Sequence, residues 1–405
     1  MQHAGGKLIE QTYTRPVDYI HLLPTELWRE IFLLTITPPN STLSLSPTSF
    51  FSDDLLPKNW RSLKSRQHAH AQLRGICKML ETIVLELLLE DVIFYSSWVN
   101  RFYSALESMA SWTRNPGVLT RRATILFPDA LYGDVAKNFA QLARLSEYCS
   151  KLRTIAMFIN WHGPGGSSQI NLEWISNVTQ AILQTPIFST DCLVSLADKN
   201  PGLETLALIA ERPKNVRVTL QTDVVFPQLG RFFISCDDVF CHLSTPKLEW
   251  LGFCLRQPSN PGLASFLRDN CTGLTYLHLD MLDLLDEDLP RILYLVYLCP
   301  SLETLSLEGY PVYNYGVDPL EPHPSLQHLV LRCEGAYEPV DWLEMFGLIH
   351  DGWRPLLSFT TITFRLFHRN RQGFTTFEKD KATVQEAIDE RCGKLDAELA
   401  FEEVL

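Results

Sequence analysis

The chain has 405 residues, room for two or more domains, and its formal charge of -12 argues against a general nucleic-acid binder, which needs a basic face. Its 46% hydrophobic and 20% charged residues argue against wholesale disorder. No run of about 18 apolar residues is present, and the amino-terminal MQHAGGKLIEQTYTRP lacks the apolar core of a secretory signal. A reduced intracellular location, cytoplasmic or nuclear, is expected, with no membrane partner.

The first strong feature is the line Leu22-Leu23-Pro24-Thr25-Glu26-Leu27-Trp28-Arg29-Glu30-Ile31-Phe32. Pro24 suits a first helical turn, where its missing N–H costs nothing. Leu23, Leu27, Ile31 and Leu34 then share a face, with Trp28 and Phe32 beside them. A Ser/Pro-rich stretch from about 38 to 65 follows and reads as a loop. A second apolar helix face comprises Leu73, Ile76, Cys77, Leu80, Val84 and Leu87, and the strand-like Val92-Ile93-Phe94-Tyr95 lies next.

From about residue 91 the pattern alternates. Trp98, Phe102, Leu106 and Met109 line one helix face, and Ala123–Phe127 reads as a strand. Leu131, Val135, Phe139, Leu142, Leu145 and Cys149 line another helix. Then one phrase recurs: PGLETLAL from Pro201, PKLEWLGF from Pro246, CTGLTYLHL from Cys271, PSLETLSL from Pro300 and PSLQHLVL from Pro324. Aligned on its first leucine it gives Leu152, Leu203, Leu229, Leu248, Leu274, Leu302, Leu326 and Leu357, with steps of 51, 26, 19, 26, 28, 24 and 31 residues. The first step is about two repeats, and most others sit near the roughly 20–29 residue leucine-rich period. Helical stripes fill the intervals, as at Ile292, Leu295, Val296 and Cys299, and at Trp342, Leu343, Phe346 and Ile349.

In L-x-x-L-x-L the leucines alternate, as a strand with one buried face requires. Leu203, Leu206 and Leu208 point inward, and so do Leu302, Leu305 and Leu307, and Leu326, Leu329 and Leu331. The fold class expected is α/β: a small all-α module, then an irregular leucine-rich-repeat solenoid over 91–375, parallel strands concave and helices convex. Residues 1–18 read as a disordered terminus and 19–90 as the helical module. The tail from Glu378 holds nine acidic and four basic residues and reads as a charged helix, 382–400, in a segment spanning 376–405.

No chemistry-bearing constellation is found. No P-loop, HExxH, GxGxxG or GxSxG occurs, and the ten cysteines include no CxxC. The glycine-rich run His162–Ser168 reads as a loop between repeats. The acidic group Asp280, Asp283, Asp286, Glu287 and Asp288 lacks the calcium-loop order and reads as a solvated loop leading into a helix. No catalytic residue, cofactor or metal site is expected. The positions alternating with the buried leucines are the binding candidates: Arg231, Phe233, Trp250, Tyr276, His278, Asp280, Glu308, His328 and Arg332. Aromatics beside charges are what interface hot spots use.

The pair of features resembles fungal-type F-box-like proteins with leucine-rich repeats. Leu23, Pro24, Glu26, Leu27, Ile31 and Phe32 match the first part of the F-box pattern, and Ile76, Cys77 and Lys78 match its second part. The tryptophan of that pattern is absent, and Leu80 and Glu81 occupy its neighbourhood. The resemblance implies a non-catalytic substrate-recognition subunit of an SCF-type cullin-RING ubiquitin ligase. Leu22, Leu23, Pro24, Glu26, Leu27, Ile31 and Phe32 would dock on the Skp-type adaptor, which bridges to the cullin core. The repeats would hold a protein client. A repeat scaffold without any ligase link is the alternative.

Overall fold

The computed structural model describes residues 24, 27–28, 78–110, 116–127, 139–159, 172–185, 190–210, 223–235, 243–254, 261–280, 294–308, 323–334, 361–367 and 396–402. They fall in two compact units. Pro24, Leu27, Trp28 and the start of helix α1 (Lys78–Glu90) belong to one, and everything from Leu89 onward belongs to the other.

In the larger unit twelve strands form one sheet in the order β1-β2-β3-β4-β5-β7-β9-β10-β11-β12-β13-β14. These are Asp91–Tyr95, Arg122–Phe127, Thr154–Ile159, Gln180–Thr185, Thr205–Ala210, Arg231–Ile234, Trp250–Cys254, Tyr276–Asp280, Thr304–Glu308, His328–Glu334, Thr361–Phe367 and Asp396–Glu402. Every pairing in it is parallel, and its strands follow one another across the sheet in chain order. Parallel neighbours require a crossover, and helices supply several of them: α2 (Val99–Met109), α3 (Leu145–Tyr148), α4 (Thr190–Lys199) and α5 (Pro261–Asn270). The result is an α/β fold.

The crossovers from β5 to β7 and from β7 to β9 each carry a short extra strand. There β6 (Val224–Val225) pairs with β8 (Leu243–Ser244) in a separate two-stranded parallel sheet.

One turn and one ladder repeat down the stack. At five of the leads the N–H donates to the carbonyl three residues earlier: Leu152 to Cys149, Leu203 to Asn200, Leu248 to Thr245, Leu274 to Cys271 and Leu302 to Cys299, all at 3.0–3.1 Å. The residue after the lead then offers a carbonyl that accepts two N–H groups from the next strand. Glu204 O takes those of Gly230 and Arg231, Gly230 O those of Glu249 and Trp250, and Glu249 O those of Thr275 and Tyr276, at 2.9–3.1 Å. Backbone groups at the strand starts are therefore satisfied by the neighbouring repeat.

The inward-pointing residues build one continuous core. Ile125, Ile155, Leu183, Leu206, Leu208, Phe232, Leu251, Phe253, Leu277, Leu279, Leu305 and Leu329 are all buried, with Phe139, Leu142, Leu145 and Cys149 packed on them from the crossover side. The expected strand at the missing copy between Leu152 and Leu203 is β4, led by Val178.

Three expectations are corrected. The last alignment slips by two: Thr361 pairs with His328, whereas alignment on Leu357 would start this strand two residues earlier; Leu357 itself lies outside the described residues. Residues 396–402, read as part of a charged helix, form β14 and extend the sheet. Alternation around Ala397, Leu399 and Phe401 is the strand signal that the charge count hid. Trp98 does not join the buried face of α2, which consists of Val99, Tyr103 and Leu106; it is 48% exposed beside Tyr95 and Arg101.

Candidate surface on the second face of the sheet

Pairing registers align side chains into rows across the sheet face opposite the leucine core. One row runs Thr154, Gln180, Thr205, Arg231, Trp250, Tyr276, Thr304 and His328. The next, two residues further along each strand, runs Ala156, Ile182, Ala207, Phe233, Gly252, His278, Ser306 and Val330.

The first row carries the candidate surface. Arg231 and His328 are exposed, and Trp250 and Tyr276 are half-buried between them. The two aromatic rings stack at 5.5 Å between centroids and 25° between planes. Offset stacking of this kind stabilises by about 0.5–1.5 kcal/mol beyond area burial and fixes both rings. Gly252 explains how the indole lies down on the sheet: a Cβ there would meet Trp250 Cη2 at 2.6 Å and Phe233 Cδ2 at 2.9 Å. Only a residue without a side chain leaves that space.

The second and third rows correct the sequence reading. Phe233, His278 and Asp280, expected on an exposed face, are buried, with His278 fully so. Phe233 joins Ala156, Ile182 and Ala207 in a small apolar cluster, against which Phe158, Ile209 and Trp250 pack. A parallel sheet buries both faces far more often than an antiparallel one, so alternation with core leucines did not imply exposure. The unbroken apolar runs of Ile155–Ile159 and Leu206–Ile209 carried that signal.

His278 is held by its strand neighbour: Nδ1 lies 2.9 Å from Ser306 Oγ, at directly paired positions of β10 and β11. The pair, missed in the sequence, is a histidine beside a hydroxyl, yet both residues have no accessible surface. A nucleophile must reach its substrate, so this bond reads as a cross-strand tie. Among the described residues no group of three or more His, Cys, Asp or Glu could hold a metal ion.

Glu308 and Arg332 fall in register with Asp280 along a third row; their side chains lie outside the described residues. Of the adaptor-side candidates, Pro24 is exposed and its carbonyl accepts N–H bonds from Leu27 at 3.0 Å and Trp28 at 3.2 Å, the start of a helical turn. Leu27 is 49% exposed. Leu22, Leu23, Glu26, Ile31 and Phe32 lie outside the described residues, as do the His162–Ser168 run and Asp283–Asp288.

No family model and no curated protein matches the chain. Among solved structures, it is similar to the crystal structure of a protein from Bacteroides fragilis at 12% identity and a TM-score of 0.38, over 84% of this chain and 83% of that one. Similarity at that level bears on neither family nor activity. Among the described residues no helix is long and apolar enough to cross a membrane.

Proposed function

We propose that this chain is a non-catalytic receptor that binds a protein client on the second face of its sheet, built as an irregular leucine-rich-repeat solenoid. The observation that carries the reading is the stacked Trp250–Tyr276 pair, half-exposed and flanked by exposed Arg231 and His328. Rigid aromatics beside an arginine supply large contact area at small entropic cost, which is how interface anchors work. The repeating turn and its doubly accepting carbonyl support a repeat architecture.

The adaptor half of the proposal rests on the resemblance of Leu23-Pro24-x-Glu26-Leu27 to the F-box pattern, supported by the exposed Leu27 on a helical turn opened by Pro24. In this reading the amino-terminal helix lays its apolar residues in a groove of a Skp-type adaptor. The chain thereby brings its client to an SCF-type ubiquitin ligase, whose other subunits carry the chemistry.

Co-purification with the Skp-type adaptor, wild type against a Leu23→Asp/Pro24→Ala variant, tests the adaptor half. Wild type is expected to bind and the variant to lose the adaptor. Failure of both would leave a repeat scaffold without a ligase link. Proximity labelling with wild type and Trp250→Ala/Tyr276→Ala tests the client half; identical partner sets would move recognition off this face.

A further inference from the structure

Cys271 and Cys299 occupy the same place in consecutive repeats. Each lies five residues before a directly paired strand residue, Tyr276 or Thr304. Each heads the same turn, its carbonyl accepting from Leu274 N–H or Leu302 N–H at 3.1 Å. Equivalent points of adjacent parallel strands stand roughly 4.8 Å apart, inside the roughly 4.4–6.8 Å of Cα separation that a disulfide spans. Cys271 Sγ donates to Leu298 O, the carbonyl just before Cys299, at 2.7 Å, and Cys299 Sγ donates to Leu295 O at 3.6 Å.

We propose that Cys271 and Cys299 form a reversible intramolecular disulfide when the protein meets hydrogen peroxide, tying two neighbouring repeats together. The pair is chemically unequal. The neighbouring Cys299 thiol holds the Cys271 thiol below its ordinary range, while Cys271 beside it and burial push Cys299 up. Cys271 is therefore the attacking sulfur and Cys299 the resolving one. At rest the Cys271 S–H donates to Leu298 O at 2.7 Å, a contact that ionisation gives up.

The Cys271 thiolate attacks one peroxide oxygen, the O–O bond breaks, and the leaving hydroxide takes a proton to become water. The resulting sulfenic acid is then attacked by the Cys299 sulfur; the S–S bond forms, and the sulfenic oxygen leaves as a second water with the Cys299 proton. Two thiols are oxidised and one peroxide is reduced. Both sulfurs are buried, so a small oxidant is required, and the route is the turn itself, where Thr272 and Gly273 are exposed. Cys149 holds the same repeat position, yet no cysteine stands beside it in the next repeat, where Ile175 occupies that place. Its thiol is pushed up to about 11 by burial, and it should stay reduced.

The test uses the full wild-type chain, oxidised with hydrogen peroxide under native conditions, alkylated, and digested with trypsin without reductant. Cleavage after Arg268, Arg291 and Arg332 puts Cys271 alone in one peptide and Cys299 alone in the next. The expected product is the linked pair 269–291 and 292–332, lighter by two hydrogens than the two reduced peptides together and lost on reduction, with Cys149 and Cys192 still alkylated. In Cys299→Ser, Cys271 should stop at a sulfenic acid that a dimedone probe captures. Absence of the linked pair from the folded wild type overturns the proposal. So does its appearance only after unfolding in urea, or a wild-type Cys271 that accumulates as sulfenic or sulfinic acid.

Discussion

His323 shows how one side chain can carry a pH dependence. It is fully buried; Nε2 lies 3.1 Å from Cys299 O, and Nδ1 accepts the Leu326 N–H at 3.1 Å. An accepting Nδ1 requires the neutral ring with its proton on Nε2. Burial accordingly holds its pKa below the ordinary 6.5, against the pull of its bond to Cys299. The unfolded chain then binds the proton at higher pH than the folded one. Its contribution is fully present above about 6.5 and is lost as pH falls from there through the lowered folded value. Denaturant midpoints across that window should fall more steeply in wild type than in His323→Asn, which cannot titrate; equal slopes would refute the assignment. A second residue-scale case is Gly252. Gly252→Ala places a methyl where the Trp250 and Phe233 rings lie, so the indole must tilt off the sheet. We expect a loss of about 1–3 kcal/mol and a red-shifted tryptophan emission, along with, under the proposed function, weaker client capture although Trp250 itself is intact.

At the scale of elements, two buried asparagines do matching work. Asn200, just past α4, accepts Val178 N–H at 2.9 Å and donates to Ile175 O and Leu196 O at 2.9 and 2.8 Å. Asn270, at the end of α5, accepts Thr245 N–H at 2.6 Å and donates to Phe266 O at 2.9 Å. Each caps a helix end and binds it to the preceding repeat, so carbonyls left over by the helix are not orphaned. Asn200→Leu should cost about 2–4 kcal/mol, since several buried groups lose partners together; a loss under about 0.5 kcal/mol, the level of an ordinary surface change, would show that water replaces them. The core strands were legible because L-x-x-L-x-L repeats a physical rule, one buried position in two. What escaped was whatever depended on the neighbour's identity. Nothing local tells that Ala156, Ile182, Ala207 and Phe233 will meet across four strands. Nor does the chain announce that Asn200, an ordinary polar residue before Pro201, faces Ile175. β14 was hidden for another reason: its acidic residues alternate with Ala397, Leu399 and Phe401, and a count of charges discards the order.

For the whole molecule the sheet order matters most. Because each strand pairs with its nearest sheet neighbours in chain order, cohesion passes along the stack one interface at a time. Interior strands are paired on both edges, whereas among the described residues β14 pairs only with β13. A stack of this kind need not open all at once; ends fray first and a weakened interface divides it. Leu277 sits fully buried in β10, between Leu251 of β9 and Leu305 of β11 at paired positions. Leu277→Ala should remove about 2–5 kcal/mol through the cavity it leaves. In a globular core that loss would appear at every amide. Here native-state hydrogen exchange in low urea should show it concentrated in β9, β10 and β11, with β2 and β3 keeping wild-type protection and 396–402 exchanging early in both proteins. A uniform loss across β2 to β12 would mean that the unit unfolds as one cooperative block, and the repeat description would then govern its geometry but not its energetics.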